Sequence, residues 1–120
     1  MKRISDFRSD TVTVPTKKMK KVMFKAEVGD DVWESDPTVK ILEKKAAEML
    51  GKEAGLFVPS GTMGNQIAIR VNTDAGDEII LGDSSHIVQH EVGGAARNGI
   101  VQAWMIRSNY GVMPIKEIKR

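Results

Sequence analysis

The feature that most constrains the fold of this chain lies near its middle, at Ala54-Gly55-Leu56-Phe57-Val58-Pro59-Ser60-Gly61-Thr62-Met63-Gly64-Asn65-Gln66. The apolar run Ala54 to Val58 reads as a strand and Pro-Ser-Gly-Thr as a tight turn. Helical spacing follows at Met63, Ile67 and Val71. A helix that begins at such a turn presents backbone N–H groups without intrahelical partners at the positive end of its dipole, and Ser60 and Thr62 add hydroxyl donors. That arrangement suits an anion, most simply a phosphate. Gly61 would let backbone come close to such a ligand, and Gly64 removes a side chain from the first helical turn. The plainer alternative is a helix start capped by Ser or Thr with nothing bound, since both residues are favoured caps.

The flanking sequence supplies elements of matching kind. Residues 4 to 14 mix β-branched and polar residues without a helix period and read as an extended arm. Pro15 suits a first helical position, with Met19, Val22, Met23 and Ala26 forming an apolar stripe and five lysines a solvated face. Gly29 to Ser35 is an acidic loop carrying Trp33, which the sequence leaves open as a lid on the core or part of an interface. Asp36-Pro37 starts a second helix, with Val39, Leu42, Ala46 and Met49 as its buried stripe, Glu43 and Glu48 on the surface, and Gly51 as its stop. After the central junction come a polar turn at 72–77, a strand from Glu78 to Leu81, and a loop from Gly82 to His86. A helix through Val92, Ala95 and Ala96 ends at Asn98-Gly99, a strand runs from Val101 to Ile106, and a helix opens at Pro114. Strands alternating with helices predict an α/β architecture with parallel strands and right-handed crossovers, the phosphate turn and His86 lying at one end of the sheet.

Composition narrows the function. A net charge of +2 and 5% aromatic residues give no footprint for nucleic acid. The absence of cysteine excludes disulfides, thiolate chemistry and Cys-ligated zinc, and fits a cytoplasmic protein. The N-terminal Met1-Lys2-Arg3-Ile4 has no apolar stretch behind it, so no secretory signal is expected, and no segment has the length of a membrane span. The central turn has neither the lysine of a Walker motif nor the Gly-x-Gly-x-x-Gly spacing of a dinucleotide site.

Two histidines, His86 and His90, stand four apart, which on a helix places both rings on one face. Without a further ligand they make an incomplete zinc set, with Glu91 pointing sideways, so a metal is not expected. His86 follows a strand at the end where open α/β sheets place ligands; the plainer reading is a satisfied surface histidine. Arg8 and Ser9 lie on the N-terminal arm, where a hydroxyl and backbone N–H can lie beside a carboxylate, while Arg8 and Asp10 can also simply pair with each other or with neighbouring loops.

Read as strings, four motifs resemble the threonine aldolases, pyridoxal-phosphate enzymes of the aspartate-aminotransferase fold. They are Asp6-Phe7-Arg8-Ser9-Asp10-Thr11-Val12-Thr13, Glu27-Val28-Gly29-Asp30-Asp31-Val32 with Asp36-Pro37-Thr38, Phe57 to Gln66, and Asp83-Ser84-Ser85-His86-Ile87. The resemblance implies that residues 1–120 are the N-terminal segment and first part of a fold-type-I large domain, mostly parallel sheet with flanking helices behind an extended arm. It implies pyridoxal 5'-phosphate held by Ser60, Gly61 and Thr62, with His86 stacked on its ring, and an amino-acid carboxylate met by Ser9 and Arg8. The implied reaction cleaves threonine or allo-threonine to glycine and acetaldehyde, in a homo-oligomer, dimer or tetramer. The family's Schiff-base lysine lies beyond its first third, and none of the twelve lysines here stands in a matching context, so the chain alone is expected to be inactive and to need its remaining segment. Where the family usually has Tyr-Gly, this chain has Trp33-Glu34. The alternatives are another β-eliminating lyase of the same fold and a non-catalytic α/β phosphate-binding module without the lysine.

Overall fold

A computed structural model of the chain describes residues 5–30, 32–33 and 35–119. It divides into two compact units, Met1–Phe57 and Val58–Arg120. Asp31 and Glu34, which belong to the second motif and to the Trp33-Glu34 departure, and Met1 to Ile4 lie outside the described residues.

In the first unit the expected arm carries a single 3-10 turn at Asp10–Val12, capped by Ser9, whose side chain accepts from the Thr11 N–H. Helix α1 covers Lys17–Lys25. Its N-cap is Thr16, not the residue before Pro15: the Thr16 hydroxyl accepts from the Met19 N–H at 3.2 Å, so Pro15 lies outside the helix. The stripe Met19, Val22 and Met23 is exposed. Among the described residues Trp33 is 81% exposed.

Helix α2 covers Pro37–Leu50, with Asp36 as N-cap, Pro37 at the first position and Gly51 at φ +62° as the left-handed stop, all as the sequence dictates. Its inward face differs from the expected one. Ala47 is buried and Val39 and Glu43 half-buried, whereas Leu42, Ala46 and Met49 are exposed. Apolar residues occur around most of this helix, so periodicity alone cannot select the face. Local contacts select it. A Cβ at Gly55 would lie 2.9 Å from the Glu43 carbonyl oxygen, so that glycine lets the following segment lie against the helix. The Glu43 carboxylate, expected on the surface, accepts the Phe57 N–H at 2.7 Å.

That bond bears on the expected strand at Ala54 to Val58, which is irregular backbone here. A strand exists only as a partner in a ladder, and the N–H of Phe57 goes to a side chain of α2 instead of a neighbouring strand.

The second unit is α/β. Helix α3 covers Gly61–Asn72, strand β1 Glu78–Gly82, helix α4 His86–His90, strand β2 Gln102–Ile106 and helix α5 Ile115–Ile118. β1 and β2 pair in parallel, Glu78 opposite Gln102 through Gly82 opposite Ile106. The expected long helix after His86 is broken. α4 ends at Glu91, Val92 and Gly93 take left-handed φ of +50° and +71°, and a π-helical turn follows over Ala95–Gly99. Ile69 of α3, Ala95 and Val101 form the core, with Ile79 and Ile87 packed on it. A Cβ at Gly99 would stand 2.7 Å from Ile69 Cγ2, so α3 and the π turn approach to glycine distance.

Candidate functional site

The first part of the site is the start of α3. Ser60 is the N-cap, in extended conformation, and its hydroxyl accepts from the Met63 N–H at 3.1 Å. The N–H groups of Gly61 and Thr62 have no acceptor among the described residues, and both residues are exposed. Nothing lies within 4 Å of a Cβ placed on Gly61, and its φ is not in the left-handed region. Neither backbone conformation nor packing thus demands glycine there, which leaves open space directly over the exposed amides. Gly64 faces the Val58 side chain at 3.6 Å, closing the corner behind the turn.

The second part is His86, the first residue of α4 and not the end of a loop. Its launch point is fastened to both strands. The Asp83 N–H donates to the Ile106 carbonyl at 2.9 Å, its carboxylate accepts from the Ser108 N–H and hydroxyl, each at 2.9 Å, and its carbonyl accepts from the Gln89 amide at 2.7 Å. The Ser108 donors hold the Asp83 carboxyl below its usual range, against the opposing effect of burial. The His86 side chain is 58% exposed, and Nδ1 lies 2.9 Å from Glu91 Oε1. Its ring meets that of His90 at 5.1 Å between centroids, tilted by 56°. Next to it, the Ser85 hydroxyl is buried without a hydrogen-bond partner among the described residues.

Glu91 joins the two parts. Its side chain is wholly covered, with Asn65 Nδ2 at 2.7 Å from Oε1 and Gln66 Nε2 at 2.6 Å from Oε2. Burial alone would raise its pKa, but the bonds from Asn65, His86 and Gln66 outweigh it and hold the carboxyl below its ordinary value. Asn65 stands three residues past Thr62, about 4.5 Å along the helix axis. The carboxylate therefore ties the His86 ring to Asn65 and Gln66 of α3. Sequence reading set Glu91 aside as pointing sideways. It turns inward because the helix breaks there, and the Val-Gly-Gly that follows is the signal for that break.

Ser9 and Arg8 lie in the first unit. Arg8 forms an ion pair with Asp6, at 2.6 Å, not with Asp10, and the Ser9 hydroxyl accepts from Thr11 Oγ1 at 2.9 Å. A groove of ≈ 520 Å³ beside β2, lined by Trp104, Arg107 and Lys116 among others, includes none of the expected site residues.

A family model described as beta-eliminating lyase matches residues 6–120. The chain belongs to the beta-eliminating lyase family. Within this lyase family it is 50% identical over 119 residues to the probable low-specificity L-threonine aldolase 2 of Arabidopsis thaliana, covering 98% of the chain and 34% of that protein. It is 43% identical over 114 residues to the low specificity L-threonine aldolase of Escherichia coli strain K12, covering 94% of the chain and 34% of the relative. The probable low-specificity L-threonine aldolase of Schizosaccharomyces pombe is 48% identical over 90 residues, 74% of the chain and 24% of its own length. The chain thus spans about a third of the length of the curated relatives it matches first.

Proposed function

We propose that this chain contributes the first part of the cofactor-binding domain of a pyridoxal-phosphate aldehyde-lyase that cleaves threonine or allo-threonine to glycine and acetaldehyde. The observation that carries the reading is the Glu91 carboxylate, which fastens an exposed imidazole to the helix start with open amides. The names of the relatives supply the substrate class.

The residues present fit the cofactor. The amides of Gly61 and Thr62, with the Thr62 hydroxyl and the Ser60 cap behind them, would hold its phosphate at the positive end of α3. His86, held by Glu91 at one nitrogen and open on its face, would lie against its ring. Bound there, pyridoxal phosphate supplies an electron sink for the negative charge left as the Cα–Cβ bond breaks. Ser9 and Arg8 are the proposed contacts for the substrate carboxylate, Arg8 exchanging Asp6 for it. The Schiff-base lysine is proposed to come from the two thirds of the relatives' length that this chain does not span, so the 120 residues alone would have no aldolase activity. A homo-oligomer, dimer or tetramer, is the proposed assembly, supported by the exposed Trp33 and Phe24. No helix among the described residues is long and apolar enough to cross a membrane. The proposed setting is cytoplasmic, with an amino acid and not nucleic acid or membrane as partner.

The family description favours one second reading, β-elimination on another amino acid in the same site. One assay decides between them. The intact protein carrying this sequence is given L-threonine, L-allo-threonine and a substrate with a β-leaving group. Acetaldehyde with glycine is the expected product. Pyruvate with no acetaldehyde selects the second reading, and no product from any substrate ends both. Thr62→Ala is expected to weaken cofactor binding by about tenfold, read by fluorescence titration, through loss of one charge-assisted hydrogen bond.

A further inference from the structure

The Glu91 network fixes more than the place of His86. A carboxylate only accepts, and Asn and Gln donate only through their amino groups, so the direction of each bond to Glu91 is set. Gln66 cannot turn its amide over without losing Asn98 Nδ2, which donates to its Oε1 at 3.2 Å. The His86 nitrogen facing Oε1 at 2.9 Å must then be the one that carries hydrogen. We propose that Glu91 is a positioning residue that locks His86 in the Nδ1–H form and leaves Nε2 as an acceptor for a donor group on the substrate. Nε2 has no hydrogen bond among the described residues, and a neutral imidazole with hydrogen on one nitrogen presents a lone pair on the other. A hydroxyl is a donor such an acceptor can meet, and it is the feature that separates β-hydroxy amino acids from the rest. That last step rests on the aldehyde-lyase reading above, whereas the lock does not.

The same network supplies its own controls. In Glu91→Gln/Gln66→Glu the new amino group replaces Oε2 and donates to the carboxylate moved to position 66. The amide oxygen stays at the Oε1 place, and Nδ1–H is retained. In Glu91→Gln/Asn65→Asp the amino group takes the Oε1 place instead, donating both to position 65 and to Nδ1. The ring must then carry its hydrogen on Nε2. Both double variants keep the charge and satisfy every polar group, so a purely structural role for Glu91 predicts that they behave alike.

The test is made on the intact protein, labelled with 15N-histidine, at a pH above the usual imidazole range, with His86 signals identified by their loss in His86→Phe. Nδ1–H is expected in the wild type and in the variant altered at position 66, and Nε2–H in the variant altered at position 65. In turnover of the β-hydroxy substrate, the variant altered at position 65 should lose at least about tenfold in kcat/KM relative to the other. Affinity for pyridoxal phosphate should be the same in both. Nε2–H in the wild type, the same tautomer in both double variants, or equal kcat/KM overturns the proposal. Thermal unfolding accompanies each variant, and if the second fails to fold the wild-type spectrum decides. An intact protein that shows Nδ1–H but cleaves no β-hydroxy amino acid overturns the aldehyde-lyase reading and leaves the lock standing.

Discussion

A carboxylate covered on all sides holds its charge only if donors meet both oxygens, and Glu91 meets that condition with two amides and an imidazole. Its folded-state pKa lies below its ordinary, unfolded value. Its stabilising contribution is therefore fully present above that value and is lost as pH falls through the folded one. Unfolding midpoints followed from neutral pH into acid should decline across that window, and Glu91→Gln should flatten the decline. Glu91→Ala, which strands the donors of Asn65 and Gln66, is expected to cost about 2–3 kcal/mol in denaturant unfolding. The residues of this cluster were only half legible in the sequence. Asn65, Gln66 and His86 lay inside motifs, but Glu91 was hidden because a helix period carried through 86–99 turns its side chain away from the histidines.

Two elements of the fold carry separate tests. The Asp36 cap of α2 accepts from the N–H groups of Val39, Gly29 and Thr38, and the Val39 and Gly29 bonds hold its carboxyl low against burial. Asp36→Ala should speed hydrogen exchange at the Thr38 and Val39 amides by about five- to tenfold, while Asp36→Asn should restore most of the protection. Between α4 and the π turn, Val92 is 99% exposed at φ +50°, a conformation that strains a β-branched residue and that no contact of its side chain repays. Val92→Gly is expected to raise stability by about 1 kcal/mol, measured by denaturant unfolding. The cap and stop of α2 and the start of α3 could be read directly, because Asp-Pro, Gly51 and Ser-Gly act through neighbours a few residues away. The run Ala54 to Val58 could not, because a strand is defined by a partner that no local pattern names.

Taken whole, the described residues bury few apolar side chains. Ala47 is the buried apolar residue of the first unit, while Ile41, Met49 and Leu50 of the same helix are 67–76% exposed. In the second unit Ile80 and Met105, on the paired strands, remain 44% and 58% exposed. Parallel strands are normally covered on both faces. A polypeptide of these 120 residues should therefore bind an environment-sensitive apolar dye strongly and associate on concentration, as fluorescence and light scattering would record. The parallel α/β pattern of this half was legible from alternation; which surfaces stay open was not, because periodicity marks an apolar face without naming what covers it. One close approach bears on how such a protein changes over generations. A Cβ at Gly94 would come within 2.8 Å of Gln66 Nε2, whose side chain is pinned at both ends of its amide by Glu91 and Asn98. Descendants can gain bulk at position 94 only after position 66 has shrunk, and a shrunken position 66 abandons the acid beneath it. Positions 66, 91 and 94 should accordingly drift as one linked character, each alone carrying a fitness cost that only a concerted replacement escapes.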